Sequence, residues 1–369
     1  MRQFTRYGLA AGLSAALVWG LVGCGGNDSL PSKVPVSKVY VMGDSLADVG
    51  TFGGLKFTVQ DPVNPQNSLI WPQIVANNFG LDGAAQCNFF SIGANGVSMN
   101  PACGNYAVGG ARIVNKATDT LPTVGAQLAA RAQAPYADTD LLLVDGGGND
   151  AADLVTAFLT AAAGGPASAY QTFLLQQLDA AELGALLTQD PTGAMAAGAY
   201  MQKLANTYFD AIKTQALDKG ANRVGVLNIP DVTITPRFQA VLASMGAQQG
   251  AAVQAGIRQW LGAFNAQLLS RIGTDKRIAL VDFYADFQDE VAHPESYALT
   301  NVKDPVCTAT VSDTFGQFPC LSTTLDATAG QTAGWWKRHA FADGFHPTPY
   351  GHGLLAASVS RALARAGWL

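Results

Sequence analysis

Charged residues are scarce in this sequence, and neither sign is in large excess. Asp, Glu, Lys and Arg make up 13% of the 369 residues, and the formal net charge is −5. Soluble domains usually carry roughly 25% charged residues, about twice as many. Proteins that bind nucleic acid need a basic surface, so this composition argues against nucleic acid as a partner. The 40 glycines and many alanines instead suggest an exported protein that is rich in small residues.

Long apolar runs are also few, although 49% of the residues are apolar. The N-terminal run at residues 9–22 follows Arg2 and Arg6 and is too short to span a bilayer comfortably, which is typical of a signal peptide. It ends in Leu-Val-Gly-Cys at residues 21–24. This string resembles the bacterial lipobox, in which the cysteine is lipidated and becomes the new N-terminus. Residues 1–24 are therefore expected to be a lipoprotein signal peptide with Cys24 as the lipid anchor.

An ordinary secretory signal with an incidental cysteine is the alternative to this interpretation. If Cys24 is lipidated, Gly25 in place of an aspartate favours the outer membrane, and the protein is exported and anchored in the bacterial cell envelope. Residues 25–37 are small, polar and interrupted by proline, which is typical of a flexible tether. We expect residues 38–369 to form one domain.

Cysteine is rare, and removing Cys24 from the five leaves an even number. In an exported protein these four predict two disulfides, for which three connectivities exist. The simplest pairing joins neighbours along the chain, Cys87 to Cys103 and Cys307 to Cys320. A zinc site is a weaker alternative because no Cys-x-x-Cys occurs and the histidines lack the usual ligand spacing.

Short apolar runs with many β-branched residues alternate with longer stretches in which apolar residues recur every three or four positions. The first kind predicts strands at residues 39–42, 141–144, 224–227 and 278–281. The second kind predicts helices at residues 151–163, 194–217, 251–272 and roughly 349–366. Strands that alternate with helices indicate a parallel sheet covered on both faces, with ligands beyond the carboxyl ends of its strands.

Two polar motifs contain residues suited to nucleophilic catalysis. Residues 43–50 (GDSLADVG) follow the first predicted strand, so Ser45 is expected at a strand-to-helix turn where its hydroxyl faces the crevice. Residues 343–352 (DGFHPTPYGH) place Asp343 three positions before His346, close enough for the carboxylate to orient the imidazole. Each motif alone is also compatible with a simple turn or a helix cap. His352 is expected to be packed in the following helix.

Two further motifs offer hydrogen-bond donors. Residues 105–111 (NYAVGGA) contain paired glycines, whose backbone N–H groups can approach a ligand closely. Residues 146–150 (GGGND) follow the strongest predicted strand and place the side-chain amide of Asn149 beside a flexible backbone, although Asn149 could equally cap the next helix.

The four motifs together resemble the GDSL, or SGNH, hydrolases, whose four conserved blocks contribute Ser, Gly, Asn and His in this chain order. The resemblance runs from Val39 to the last helix. It implies an α/β fold, a flavodoxin-like three-layer α/β/α sandwich with a five-stranded parallel sheet. It also implies esterase or lipase activity with no cofactor and no metal, on a small-molecule or lipid ester substrate.

The resemblance also implies the roles of individual residues. Ser45 is the expected nucleophile, with His346 as the base and Asp343 as its partner. The expected oxyanion donors are the backbone N–H groups of Ser45 and Gly110 and the side-chain amide of Asn149, and Gly109 is an alternative to Gly110. The cysteine-bearing insertions leave the shape of the substrate pocket open.

Three other classes of function compete with this prediction. An α/β-hydrolase would need a Gly-x-Ser-x-Gly string, which is absent. A metal hydrolase built around Glu290 and His293 lacks a second histidine one helical turn away. A non-catalytic surface lipoprotein could keep the same fold as a binding module.

The loop-like stretch at residues 294–340 enters the His346 motif directly and carries Trp335 and Trp336. These tryptophans either pack against the body of the protein or line the substrate pocket, and large aromatic side chains more often do the first.

Overall fold

The structure is a computed structural model that describes residues 35–114, 120–307 and 319–369. Within these residues the strands are β1 (Lys38–Met42), β2 (Val59–Gln60), β3 (Phe90–Gly93), β4 (Gly96–Met99), β5 (Asp140–Val144), β6 (Val224–Leu227), β7 (Ile278–Val281) and β8 (Cys320–Leu321). The helices are α1 (Trp71–Asn78), α2 (Val124–Arg131), α3 (Gly148–Ala162), α4 (Ala167–Leu174), α5 (Ala180–Gln189), α6 (Ala194–Gln215), α7 (Pro236–Ser244), α8 (Ala247–Ile272), α9 (Phe283–Ala292), α10 (Ser322–Asp326) and α11 (Pro349–Arg365).

A parallel sheet of four strands in the order β1-β5-β6-β7 forms the centre of the fold. Its strands are the four short apolar runs that the sequence singles out, and the register pairs Val39 with Leu141 and Val224 with Ile278. Every residue of β5 is buried, which explains why this strand reads as a continuous apolar run.

The pleat of β5 sends alternate side chains to opposite faces of the sheet. Leu142 and Val144 pack on the face covered by α2, α6 and α8, whereas Leu141 and Leu143 pack on the face covered by α1 and α11. Helices therefore cover both faces, and the predicted three-layer α/β/α sandwich is confirmed.

The prediction of five strands is wrong for the described residues, in which the sheet has four. Beyond β1 the fifth position holds only an isolated parallel bridge between Val41 and Asn105. The Asn105 side chain donates to the carbonyl of Ala47, 58 residues away along the chain, and accepts the N–H of Ala107. These bonds accompany the end of the ladder, and the chain then turns towards the site at residues 108–111.

Both disulfides join the neighbouring cysteines of the simplest predicted pairing. Cys87 is bonded to Cys103, and Cys307 is bonded to Cys320. The second bridge belongs to a small apolar cluster that includes Trp336, with Trp335 packed against it. Their indole N–H groups donate within the same region, to Leu325 and Asp326. Both tryptophans therefore pack against the body of the protein.

In the described part of the chain, none of the helices has the length and apolar character needed to cross a bilayer. Cys24 lies outside the described residues. The expected signal peptide, tether and lipid anchor remain predictions.

His352 lies in α11 and is wholly buried. Its two ring nitrogens have no hydrogen-bond partner among the described residues. Burial lowers the pKa of His352 to about 3, and the nearby His346 and Lys56 act in the same direction. An unpartnered imidazole in this position packs as a neutral side chain, and protonating it opposes folding.

We expect His352→Leu to weaken the acid sensitivity of the fold. Because the pKa of His352 falls on folding, its contribution to stability is complete above about pH 6.5 and is lost as the pH falls towards 3. Between about pH 6.5 and 4.5 the natural protein should lose on the order of 2 kcal/mol more than the variant. Urea unfolding at the two pH values measures this difference. Replacing the exposed His293 by Gln serves as the control, and equal acid losses in all three proteins would contradict the prediction.

Candidate active site

Ser45 lies in a hydrogen-bonded turn directly after β1, at the carboxyl end of the sheet. The N–H of Ala47 donates to the Asp44 carbonyl (3.1 Å) and the N–H of Leu46 donates to the Asp44 carboxylate (3.0 Å). The expected helix after Ser45 does not form, and the next helix begins at Trp71. Local bonds from Asp44 therefore fix the serine, where the sequence predicted a helix N-terminus.

The three residues predicted to form a triad meet in one hydrogen-bonded row. Nε2 of His346 lies 2.7 Å from Oγ of Ser45, and Nδ1 of His346 lies 2.8 Å from Oδ2 of Asp343. The exposed fractions are 3% for Ser45 and 1% for each of the other two. Such burial strengthens each hydrogen bond, because little water competes for the groups.

A tight loop holds the His346 side of the row. Oδ1 of Asp343 accepts the backbone N–H groups of Phe345 (2.8 Å) and His346 (2.5 Å), while the N–H of Ala342 donates to the His346 carbonyl (2.8 Å). Thr348 then caps α11 by accepting the N–H of Gly351. The aspartate thus fixes both the backbone and the ring of His346.

The charge of Asp343 depends on these contacts. Burial acts to raise its pKa, but the adjacent His346 and the hydrogen bonds from His346 and Phe345 outweigh this effect, so its pKa lies below the ordinary value. An ionised Asp343 accepts the Nδ1–H of His346. In this tautomer Nε2 carries no proton and is the atom that faces the Ser45 hydroxyl.

The paired glycines occupy a turn at residues 108–111, closed by the Ala111 N–H donating to the Val108 carbonyl (2.9 Å). Gly110 has φ 78°, a left-handed conformation that favours glycine. The N–H of Gly109 donates to Oδ2 of Asp48 (2.7 Å). In the described part of the chain no acceptor takes up the N–H of Gly110 or that of Ser45. The geometry therefore favours Gly110 over Gly109 as an available donor.

Asn149 is the second residue of α3, at the carboxyl end of β5. Its Nδ2 donates to the Ala111 carbonyl (2.9 Å) and makes a longer contact with Oδ2 of Asp44 (3.4 Å). The amide is thereby tied to both the glycine turn and the serine turn. All five residues predicted for the triad and the oxyanion donors, and the alternative Gly109, lie in loops or a helix start at the carboxyl end of the sheet.

Asp48 and Asp150 hold the glycine loop from both ends, and the sequence analysis assigned neither a role. Asp48 accepts the N–H of Gly109, and Asp150 accepts the N–H groups of Ile113 and Val114 (3.0 Å each). Burial raises the pKa of both carboxyls, that of Asp150 to about 7. Asp48 lies in the motif at residues 43–50, and Asp150 lies in the motif at residues 146–150. Their places in these motifs are the feature of the sequence that could have identified them.

Asp145 is a second buried acid beneath the serine turn and was also missed. Its Oδ1 accepts the N–H of Asp44 (3.2 Å), and its Oδ2 is buried without a partner among the described residues. A Cβ on Gly43 would lie 1.5 Å from Oδ1, so only glycine leaves room for this carboxyl. Burial, together with the neighbouring Asp44, raises the pKa of Asp145 well above its ordinary value.

Glu290 and His293, the residues of the alternative metal site, have different surroundings. Glu290 is buried, whereas His293 is exposed and bonds Asp289 through Nδ1 (2.8 Å).

The fold and the site together define an α/β protein with a serine, histidine and aspartate in hydrogen-bonded order. The sequence matches the family model described as GDSL-like Lipase/Acylhydrolase over residues 39–359. The chain therefore belongs to this family, as its motifs predicted.

A relative from Pseudomonas putida, described as an uncharacterized protein in the trpE-trpG intergenic region, is 28% identical over 345 residues. The alignment covers 87% of this chain and 48% of the relative, so the chain spans about half the length of the curated relative it matches.

We expect Asp48→Asn to misplace the glycine loop. One amide oxygen cannot replace two carboxylate oxygens, so an N–H of the new amide would face the N–H of Gly109. Loss of one oxyanion donor costs about 10²–10³ in turnover, and partial displacement should cost about tenfold to hundredfold in kcat with little change in KM. Steady-state hydrolysis of p-nitrophenyl butyrate measures this effect.

Asp61→Asn provides the matched control, because Asp61 also accepts two backbone N–H groups but lies in an exposed loop. An unchanged kcat in Asp48→Asn would show that this carboxylate does not position the loop.

Proposed function

We propose that the protein is a serine hydrolase that cleaves carboxylic esters through an acyl-enzyme on Ser45. The observation that carries the proposal is the unbroken hydrogen-bonded row from Ser45 through His346 to Asp343. Family membership supports it, because the matching family model describes lipases and acylhydrolases.

In the proposed acylation, Oγ of Ser45 attacks the ester carbonyl carbon while Nε2 of His346 takes the hydroxyl proton. Asp343 stabilises the imidazolium that results. When the tetrahedral intermediate collapses, the bond to the alcohol oxygen breaks and His346 delivers its proton to that oxygen. The alcohol leaves, and the acyl group stays on Ser45.

Deacylation repeats the same steps with water as the nucleophile. His346 takes a proton from water, hydroxide oxygen bonds the acyl carbon, and Oγ of Ser45 leaves with the proton that His346 returns. The products are the carboxylic acid and the free enzyme.

Three donors are proposed to stabilise the oxyanion: the N–H groups of Ser45 and Gly110 and the Nδ2 amide of Asn149. The two backbone groups have no acceptor among the described residues. Asn149 would give up its long contact with Asp44 and keep its bond to Ala111. The negative charge that develops on the carbonyl oxygen accepts a hydrogen bond more strongly than Asp44 does in its long contact with Asn149. This exchange of partners therefore stabilises the transition state.

We expect Ser45→Ala and His346→Ala each to lower kcat for p-nitrophenyl butyrate by about 10⁴–10⁶, because nucleophile and base act as one unit. The double variant should be no slower than either single variant. Additive losses would show that the two residues act independently and would contradict the proposal.

A fluorophosphonate probe separates this proposal from a non-catalytic binding module on the same fold. The natural protein should be labelled at Ser45, as peptide mapping would show, and Ser45→Ala should not. A correctly folded natural protein without label would favour the binding module.

We also propose that the protein is exported and held in the cell envelope, at the outer membrane, through an acylated Cys24. The lipobox-like string and the tether after it support this proposal. The two disulfides are consistent with export, because such bonds persist in oxidising compartments.

Cys24→Ser should therefore release an active protein into the soluble fraction, while the natural protein stays with the membranes and incorporates radiolabelled palmitate. The acyl group acts only by holding the protein at the membrane, so its loss should not change kcat. Palmitate absent from the natural protein would contradict the anchor and leave the proposed esterase activity untouched.

A further inference from the structure

Residues 340–348, the histidine loop, form a short hairpin whose closed end carries the carboxylate and the imidazole of the triad. An antiparallel bridge pairs Phe341 with Pro347, and the N–H of Ala342 donates to the His346 carbonyl (2.8 Å). The two sides of the hairpin reach the site at Ala342 and Pro347. Contacts to these two residues therefore determine where the closed end lies.

The first side of the histidine loop is bonded to the segment that ends in Cys307. The N–H of Cys307 donates to the Ala342 carbonyl (2.7 Å), and the N–H of Val306 donates to the Phe341 carbonyl (3.2 Å). Ala342 is wholly buried and directly precedes Asp343. The backbone of Cys307 is thus bonded to the residue at which the chain enters the closed end.

A different segment holds the second side of the histidine loop. Oγ1 of Thr58 donates to the Pro347 carbonyl (2.9 Å), and Thr58 is wholly buried. The following residue, Val59, is paired with Cys320 in the parallel ladder of β2 and β8. These two strands have only two residues each, and so short a pair of strands is weak on its own.

The disulfide between Cys307 and Cys320 joins the two segments. It is buried, because the exposed fractions of the two cysteines are 3% and 6%. The apolar cluster around it includes residues from both segments and from the histidine loop, Val59, Val306 and Ala342. The contacts therefore form a closed circuit that runs from Ala342 through the sulfur atoms and β2 to Pro347, and the histidine loop completes it.

We propose that the Cys307–Cys320 disulfide is a positioning element of the active site. By tying together the two sides of the histidine loop, it holds Nε2 of His346 at hydrogen-bonding distance from Oγ of Ser45. The inference rests on the proposed esterase function. A displacement of about 1 Å can cost about a hundredfold in rate, so the effect of the bridge falls on the chemical step rather than on substrate binding.

The first test compares the two disulfides. Cys307→Ala/Cys320→Ala removes the proposed positioning element, and Cys87→Ala/Cys103→Ala is the matched control. The two bridges span 13 and 16 residues, so the loss of either should destabilise the fold by a similar amount. In the described part of the chain the hydrogen bonds of the control pair lie outside both the histidine loop and the glycine turn at residues 108–111.

Both variants are assayed with p-nitrophenyl butyrate at a temperature at which circular dichroism shows them folded. Cys307→Ala/Cys320→Ala should lose about tenfold to hundredfold in kcat and keep KM within about threefold. Its rate of fluorophosphonate labelling at Ser45 should fall by the same factor, because labelling needs the same base. The control should keep kcat within about twofold. Equal losses of kcat in the two variants, or an effect confined to KM, would overturn the proposal.

Thr58→Val tests the other end of the circuit. It removes the hydroxyl that donates to the Pro347 carbonyl, and it should lower kcat about threefold to tenfold in the natural protein. In the protein without the Cys307–Cys320 bridge the same change should have a smaller effect, because the circuit is already open. Equal effects in the two proteins would contradict the circuit. Because Thr58→Val keeps both disulfides, an unchanged kcat would overturn the proposal even if the protein without the bridge did not fold.

Reduction provides the reverse experiment in the Cys87→Ala/Cys103→Ala protein. Dithiothreitol supplies two electrons and two protons, so that the Cys307–Cys320 bridge becomes two thiols and the reagent becomes its cyclic disulfide. The kcat should fall, and it should return when oxidised glutathione takes up the two electrons and two protons and restores the bridge. Full activity with both thiols titrated would overturn the proposal. A natural protein that hydrolyses no ester and takes up no fluorophosphonate would instead overturn the proposed function, so the two failures are distinguishable.

Discussion

Buried carboxylates that accept backbone N–H groups hold the loops of this site in place. Loops beyond the carboxyl ends of a parallel sheet have N–H groups that no strand ladder satisfies. Asp48 and Asp150 take up those of the glycine loop, and Asp343 takes up those of the histidine loop. Loops without regular secondary structure thereby gain fixed positions. At Asp343, whose pKa is lowered, the hydrogen bonds are charge-assisted and so among the stronger ones.

Burial and hydrogen bonds shift the pKa values of these carboxyls in different directions. A carboxyl with a raised pKa favours folding below its ordinary value and loses that contribution as the pH rises, for Asp150 between about 3.8 and 7. The pKa of Asp343 is lowered, so its contribution is present at neutral pH and is lost on acidification. Burial of Asp150 therefore costs stability as the pH rises, whereas the stabilising contacts of Asp343 are lost as the pH falls.

The sequence was informative wherever a residue type has one dominant physical use. Apolar runs predicted the four strands of the sheet, and the polar motifs contained the residues that the structure brings together. The fifth strand was implied by the family resemblance and by no apolar run, and in the described residues the edge next to β1 has only the isolated bridge between Val41 and Asn105. The helix after Ser45 failed because side-chain bonds from Asp44 compete with a helix.

Asp48, Asp145 and Asp150 were not recognised because aspartates in or next to glycine-containing motifs normally indicate turns and caps. Asp48 accepts the N–H groups of nearby Gly50 and Thr51. Its bond from Gly109, the bond of Asp150 from Val114 and the bond of Asp145 from Asp44 join residues that lie far apart along the chain. Long-range hydrogen bonds of this kind leave no periodic signal in one sequence. The pairing of Gly43 with Asp145 could be found only once β1 and β5 were placed side by side.

Phe57 links the glycine turn at residues 108–111 with the loop that carries His346. Its ring lies against His346, with the ring centroids 5.2 Å apart, and a Cβ on Gly109 would come within 2.3 Å of it. Gly109 is therefore needed as a glycine for its lack of a side chain, whereas Gly110 is needed for its left-handed backbone. Because one ring contacts both loops, a shift of the glycine turn would press on His346, and packing therefore couples the positions of Gly110 and His346.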